Sequence, residues 1–328
     1  MHVAPNKILI IQTAFIGDAI LSTSMVETWK SNYPHSTIDI LVRKGNEGLL
    51  LNNPNLNEVL IWDKKNGKYS NLIKLIRKVR GANYDAIFNI QRFVATALIT
   101  ALSGARIKVG YSSNPLSFLF TRSIPFDTSK KLHETERNAA LLHPYCSGKP
   151  LPPRLFPSKG DDSSTEHYKK ESYVCIAPTS VWFTKQWPKE NWVSLIDHLL
   201  VSTTIYLLGA PNDFNACEEI KSISKASKVF NLAGKLSFLE SASLMRDAEM
   251  NYVNDSAPMH IASSMNAATT AIYCSTIPGF GFGPLSDNSS IVEYSKELDC
   301  RPCGLHGKKE CPEGHFNCSN TIDLLIGN

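Results

Sequence analysis

A polar turn between two apolar segments carries residues suited to holding a phosphate. The stretch 254–265 reads NDSAPMHIASSM. Pro258 suits the first helical position, because a proline there loses no hydrogen bond, and Asp255 or Ser256 precedes it as a helix cap. The N–H groups and the dipole of a helix start favour an anion. The stretch therefore predicts a phosphate site, with an ordinary capped helix as the alternative.

A second turn, TAFIGD at 13–18, follows the first apolar run of the chain. Gly17 permits a close backbone approach, and Asp18 falls in the first turn of the next helix. An aspartate there usually caps an N–H group or interacts with the helix dipole, and that dipole favours its ionised form. The G-x-G-x-x-G spacing of dinucleotide-binding turns is absent, which argues against a nicotinamide enzyme.

The elements that must position these turns alternate between strand-like and helix-like segments. The chain has 328 residues, of which 43% are hydrophobic and 20% are charged. It is long enough for two domains, each with its own hydrophobic core. Repeated strand, helix, strand order predicts an α/β protein with parallel sheets. A proline-rich and then polar stretch within 147–170 is typical of a linker, so we predict domains at 1–157 and 158–328.

Charge and hydropathy limit the partners and the location. The net charge of +4 is mild and predicts no nucleic-acid partner. The first apolar run is too short for a signal peptide, and no run approaches a membrane span, so we expect a cytoplasmic protein. A basic cluster at 64–80 is either a solvated helix face or a peripheral contact with an anionic inner membrane.

The turn at 254–260 is similar to the donor-binding motif of glycosyltransferase family 9, the heptosyltransferases of lipopolysaccharide assembly. An N-D-S-G-P-M-H run recurs in that family, and Ala257 stands here in place of its glycine. With the two Rossmann-like halves, the resemblance implies a GT-B fold whose domains face a central cleft. It implies an inverting enzyme that moves a heptose or related sugar from a nucleotide-diphosphate donor, ADP-heptose, to a lipopolysaccharide-core or other glycan acceptor.

The resemblance also implies roles for residues of the amino-terminal half, which would form the acceptor side. The matching I-G-D motif carries the catalytic carboxylate of the family, so Asp18 would be the base, with Gly17 beside it. Because a carboxylate is a weak base for a sugar hydroxyl, deprotonation must come late, after the donor bond has loosened. His133 and Arg137 resemble a segment that lines the acceptor side, and surface helix residues are the alternative.

The carboxyl-terminal half would bind the nucleotide sugar. The loop 178–188 resembles one in which hydroxyls and a lysine reach the diphosphate, so Ser180 and Thr184 would donate to phosphate oxygens while Lys185 supplies charge. Gln186 occupies a position that is often basic in the family.

The turn at 254–260 divides into an acidic and a phosphate-facing part. Asp255 would repel a diphosphate, so we expect it to bind hydroxyls of the sugar or ribose. Ser256 and the N–H groups of Ala257 and Met259 would face the phosphate. His260 is either a further phosphate donor or a structural histidine.

Four cysteines in the tail, 298–328, have a spacing typical of a metal site: Cys300, Cys303, Cys311 and Cys318. Disulfides are disfavoured in a reducing compartment, and some relatives use a cysteine-bearing end to hold iron. We predict a structural zinc or iron ion there, with four reduced thiols as the alternative. No D-x-D element has a fitting context, so no catalytic metal is expected.

Two other functions fit the same features. One is a nucleotide-sugar epimerase or hydrolase of the same fold, which needs no acceptor. The other is a non-catalytic protein that binds sugar nucleotides. The presence of both Asp18 and Lys185 favours an enzyme, because binding alone has no need for a base facing the donor.

Overall fold

The computed structural model describes residues 4–127, 131–199 and 203–322, and the chain divides into two compact units, Met1–Phe156 and Pro157–Asn328. Each unit contains a parallel sheet of six strands. The predicted α/β class with parallel sheets is confirmed.

The first unit alternates strands and helices along the chain. Its elements are β1 (Lys7–Gln12), α1 (Ile16–Asn32), β2 (Thr37–Arg43), β3 (Glu58–Trp62), α2 (Lys68–Gly81), β4 (Ala86–Asn89), α3 (Val94–Leu102), β5 (Ile107–Tyr111), β6 (Arg122–Ile124) and α4 (Glu134–Ala139), with short 3-10 turns at Glu47–Leu49, Ser117–Leu119 and Ala140–Leu142. The sheet order is β3-β2-β1-β4-β5-β6. This is the strand order of a dinucleotide-binding Rossmann sheet, with its switch point between β1 and β4.

The second unit repeats this plan. Its elements are α5 (Lys159–Thr165), β7 (Tyr173–Ala177), α6 (Lys189–His198), β8 (Thr204–Leu207), α7 (Phe214–Ile223), β9 (Val229–Asn231), α8 (Phe238–Arg246), β10 (Met250–Asn254), α9 (Ala257–Ser264), β11 (Thr269–Tyr273), β12 (Ser289–Glu293) and α10 (Asn317–Asn320), with 3-10 turns at Glu166–Tyr168, Phe183–Lys185, Pro211–Asp213 and Pro278–Phe280. The order β12-β11-β10-β7-β8-β9 is the same Rossmann order counted from β7, so the switch point lies between β7 and β10.

The sheets are buried because their central strands are apolar on both faces. All five residues of β7, YVCIA, are buried, and so are Ile8 to Ile11 of β1. Continuous apolar runs of this kind are typical of parallel strands covered on both sides. In contrast, α2 buries only Leu72, Leu75 and Val79, a spacing of three and four residues that leaves its opposite face to solvent.

Two features differ from the sequence-based expectations. The edge strands β6 and β12 were not predicted, because both are short and partly exposed and so carry no apolar run. The polar half of the predicted linker forms α5, which is capped by reciprocal hydrogen bonds between Ser158 and Asp161. Among the described residues, no helix is both long and apolar enough to cross a bilayer.

Candidate active site

Two loops of the second unit leave its sheet side by side. Strands β7 and β10 pair in parallel, with Ala177 opposite Val253. The loops that follow, at 178–188 and 255–256, therefore start at the same carboxyl edge and at the switch point. In open α/β sheets, ligands bind in the crevice at this position. The strand order thus brings together the two segments that the sequence assigned to a donor.

Asn254 ties these two loops together. Its side chain is fully buried, its Nδ2 donates to the carbonyl of Pro178 (2.8 Å), and its Oδ1 accepts from the N–H of Trp187 (3.0 Å). The sequence pattern predicts no role for this side chain, although it opens the 254–265 motif. A buried amide with both ends paired to one loop fixes where that loop leaves the sheet.

Lys185 and Asp255 form an ion pair inside this arrangement. Lys185 Nζ lies 2.6 Å from Asp255 Oδ2, and the side chains are 14% and 8% exposed. The hydroxyl of Thr276 donates to the same oxygen at 2.6 Å. Removing one partner of a pair this buried would leave an uncompensated charge. Asp255 therefore balances the lysine in this conformation, an interaction that the sequence analysis did not predict.

Thr184 makes its hydrogen bonds with the protein in this structure. Its hydroxyl is completely buried, accepting from Lys308 N (2.8 Å) and Ser275 Oγ (2.9 Å). These bonds pack the loop against its neighbours, and donation from Thr184 to a phosphate stays a prediction. Ser180 is partly exposed, and its carbonyl accepts from Gln186 Nε2 at 2.7 Å.

The start of α9 also makes hydrogen bonds with the protein in this structure. Ser256 occupies the cap position, and its hydroxyl donates to the carbonyl of Asn254 at 3.4 Å. The N–H of Met259 donates to Ser256 O at 3.1 Å, and its contact with a phosphate stays a prediction. Ala257 is the first helical residue and is partly exposed, while His260 is buried with its ring 6.3 Å from that of Phe282.

In the first unit, Asp18 lies at the start of α1, after the carboxyl end of β1. Its Oδ2 accepts from the N–H of Phe15 at 3.2 Å, which is the capping interaction expected of an aspartate in a first helical turn. Asp18 and Gly17 are both partly exposed. The turn before them is held by Lys64, whose Nζ donates to Thr13 O at 2.8 Å.

The start of α4 adds charged side chains near Asp18. Arg137 Nε lies 2.9 Å from Glu134 Oε2, and both side chains are buried. Burial raises the pKa of Glu134; Arg137 opposes this, and the nearby carboxylate of Asp18 adds to it. His133 caps α4, with Nδ1 accepting from Thr135 N at 3.2 Å. Arg137 is therefore buried and is not a surface helix residue, which was the alternative to its acceptor-side role.

The sequence pattern does not single out Glu134, although it lies next to His133. Arg92, three residues after the carboxyl end of β4, joins Arg137 in opposing the rise in the pKa of Glu134. The guanidinium group of Arg92 lies 4.1 Å from the ring centre of Phe126, and that of Arg137 lies 5.8 Å from it. Carboxylates and guanidinium groups from separate segments therefore collect at the switch point of the first sheet.

The tail cysteines lie near one another without forming a metal shell. Burial raises the pKa of Cys303 and raises that of Cys318 to about 11, and the neighbouring tail thiols add to both shifts. The Cys303 thiol donates to Cys300 O at 3.3 Å, and Cys318 is buried on α10. Within 4–127, 131–199 and 203–322, no three His, Cys, Asp or Glu side chains are grouped to hold a metal ion. The predicted four-thiolate site is not formed in this arrangement, and tail residues 323–328 lie outside the described part.

The chain matches known proteins over most of its length. Residues 72–315 match the family model of glycosyltransferase family 9 (heptosyltransferase). Lipopolysaccharide heptosyltransferase 3 of Escherichia coli K12 is 28% identical over 297 residues, which cover 85% of this chain and 84% of that protein.

Solved structures show the same fold. The ADP-heptose lps heptosyltransferase II of E. coli has a TM-score of 0.78 and 23% identity, over 90% of this chain and 95% of that one. The iron-containing dodecameric glycosyltransferase TibC from enterotoxigenic E. coli has a TM-score of 0.59 and 16% identity, over 96% of this chain and 72% of that one. The fold is therefore GT-B. Because the family match spans well over half of its length, this chain belongs to glycosyltransferase family 9 (heptosyltransferase) and is a glycosyltransferase.

Proposed function

We propose that the protein transfers a heptose from ADP-heptose to a lipopolysaccharide-core acceptor, with inversion at the anomeric carbon. The observation that carries this proposal is the placement of Lys185 beside the start of α9, at the switch point of the second sheet. A family 9 enzyme with a buried cation at this edge has the charge needed for a sugar diphosphate. The named relatives are a lipopolysaccharide heptosyltransferase and an ADP-heptose enzyme, which supports the same donor and acceptor classes.

The second unit would hold the donor. Lys185 would supply charge to the diphosphate, with the N–H of Ala257 and the hydroxyls of Ser180 and Ser256 as donors. Asp255, whose charge the lysine balances, would sit close to the phosphates without a net repulsion, and it would accept from a hydroxyl of the sugar. His260 would act from the first turn of α9.

The first unit would hold the acceptor and the base. An acceptor hydroxyl would attack the anomeric carbon, the bond from that carbon to the diphosphate oxygen would break, and the hydroxyl proton would pass to Asp18. ADP would leave with the bonding electrons, its diphosphate held by Lys185 and by the N–H and hydroxyl donors at the start of α9. His133, Arg137 and Gly17 would border the acceptor, with Glu134 holding Arg137 in place.

We propose that the enzyme works in the cytoplasm and meets the inner membrane peripherally through α2. The solvent side of α2 carries Lys74 and Arg77 together with exposed Tyr69 and Ile73. Basic residues beside exposed apolar side chains favour an anionic lipid surface. Co-sedimentation with vesicles tests this. The protein should bind anionic vesicles, and Lys74→Glu should weaken that binding. Equal binding to neutral vesicles would contradict the proposal.

We also propose that the tail thiols take up a structural zinc or iron ion. TibC is described as iron-containing. In this chain the thiols of Cys300, Cys303 and Cys311 all help to raise the pKa of Cys318, so they lie near it. Thiolates are soft ligands that suit both metals, and four of them would leave no position for substrate. Binding would require the thiols to lose their protons and to turn toward a common centre.

A donor panel and a transfer assay test the main proposal. ADP-heptose should raise the melting temperature more than other nucleotide sugars, because a ligand that binds only the folded state stabilises it. Transfer to a heptose-deficient lipopolysaccharide core should then release ADP. Hydrolysis or epimerisation without any acceptor would contradict the assignment, as would stabilisation by a different nucleotide sugar alone.

A further inference from the structure

The tail turn Gly307–Lys308 packs directly on the loop that carries Lys185. The backbone of Lys308 exchanges two hydrogen bonds with Thr184, from Lys308 N to Thr184 Oγ1 (2.8 Å) and from Thr184 N to Lys308 O (3.1 Å). Further along the tail, the ring of Phe316 stacks on that of Phe183 at 5.3 Å, and the hydroxyl of Ser319 donates to Gln186 O at 3.2 Å.

The contact with Lys185 itself is made by Gly307. Its φ is +75°, and a Cβ atom placed on it would lie 2.9 Å from Lys185 Cγ and 3.1 Å from Thr184 Oγ1. Real Cβ atoms do not approach a neighbour this closely, so the stem of the lysine must move if Gly307 gains a side chain. The lysine is thus enclosed between the tail turn and the Asp255 carboxylate.

We infer that the Gly307–Lys308 turn is a positioning element for the donor site, which sets where the Lys185 ammonium group lies. The turn has no contact with substrate in this role; it acts through Thr184 and the lysine stem. The inference rests on the proposed function, in which Lys185 binds the donor diphosphate. A charge-assisted hydrogen bond depends on distance and direction, so a displaced stem should weaken diphosphate binding.

The same tail provides a matched control for the substitution. Gly304 has almost the same φ, +77°, and apart from its chain neighbours no heavy atom of the described residues lies within 4 Å of its Cβ position. Alanine at either glycine strains the backbone similarly, because both need a left-handed conformation. Only Gly307→Ala also pushes on Lys185, so the difference between the two variants isolates the contact.

The experiment measures ADP affinity by calorimetry in wild type, Gly307→Ala, Gly304→Ala, Lys185→Ala and the double variant Gly307→Ala/Lys185→Ala. Gly307→Ala should weaken ADP binding by about tenfold relative to Gly304→Ala, because it should cost part of a charge-assisted hydrogen bond. In the Lys185→Ala background the same substitution should have no further effect, since it acts through the lysine. Thr184→Val should resemble Gly307→Ala, and Thr184→Ser, which keeps the hydroxyl, should bind ADP as wild type does.

A second readout needs no ligand. Acylation of Lys185 by acetic anhydride, followed by peptide mass spectrometry, should be faster in Gly307→Ala than in Gly304→Ala, because the Asp255 pair loosens. Equal acylation and equal ADP affinity in these two variants overturn the inference while leaving the proposed function intact. Wild-type protein that binds no ADP overturns the proposed function, and the acylation rates then still decide whether the turn positions the lysine.

Discussion

Lys185 and Asp255 come from loops after different strands, yet their charged groups lie 2.6 Å apart at the carboxyl edge of the second sheet. The pair exists because β7 and β10 are neighbours, and Asn254 fixes both loops. An acidic residue that would repel a diphosphate by itself becomes the counter-ion of the residue proposed to bind it.

Lys185→Ala should weaken ADP binding by about 1.5–3 kcal/mol, the scale of a charge-assisted hydrogen bond, and adenosine binding by much less. Calorimetry with both ligands measures the difference. Lys189→Ala is the matched control, because Lys189 is exposed on the next helix and pairs with Glu219. Equal losses for ADP and adenosine in Lys185→Ala would show a disturbed fold instead of a lost phosphate contact.

Asp18→Asn should reduce turnover by about 10²-fold or more, as expected when a general base is removed. The amide oxygen of asparagine can still accept from Phe15 N, so thermal stability and donor affinity should change little. A direct transfer assay measures the turnover. Near-normal transfer by this variant would remove Asp18 from the role of base.

Asn254→Ala should lower the free energy of unfolding by about 2 kcal/mol or more, because it leaves the buried Trp187 N–H and Pro178 carbonyl without their partner. Urea unfolding followed by tryptophan fluorescence measures it. Asn288→Ala, at an exposed position, should stay within about 0.5 kcal/mol of wild type. A similar small change for Asn254→Ala would show that the loops are held by other contacts.

The stability of the first unit should depend on pH through Lys64. Burial, with help from Arg43 and Lys68, lowers the pKa of Lys64 to about 8, whereas an unfolded lysine keeps its proton to about pH 10. Between these values the unfolded chain binds more protons, so wild type should gain stability relative to Lys64→Met as pH rises from 8 to 10. Melting temperatures at both pH values test this, with Lys65→Met, an exposed neighbour, as the control for losing a charge. If the melting-temperature advantage of wild type over Lys64→Met stays constant or falls between pH 8 and 10, the lowered pKa is contradicted.

Protein purified without chelator should contain zinc or iron, and the metal content should fall with Cys303→Ser but not with Cys146→Ser, an isolated buried thiol of the first unit. Because the pKa values of Cys303 and Cys318 are raised, their protons compete with the metal, and affinity should increase as pH rises. Elemental analysis at two pH values measures both effects. Substoichiometric metal at both, with no change in melting temperature on adding chelator, would leave four plain thiols.

Much of the fold follows from local patterns in the sequence. Continuous apolar runs at β1 and β7 predict buried parallel strands, and the polar turns after β1 and β10 predict helix starts, since both signals depend on neighbouring residues alone. The motif residues identify the family, and the family match and the α/β class confirm that reading. The edge strands β6 and β12 are not predicted, because exposed strands lack a run of apolar residues.

The partners of the site residues were decided by the tertiary structure. Three contacts depend on strand order and on where the tail returns. They are the ion pair between Lys185 and Asp255, the hydrogen bonds of Thr184 with the tail, and the close packing of Gly307 on Lys185. The sequence placed Thr184 and Met259 among phosphate ligands because both sit in the right segments. In this structure both residues make hydrogen bonds with the protein itself. A buried donor or acceptor must be paired by whatever the fold brings beside it, and local spacing carries no record of that neighbour.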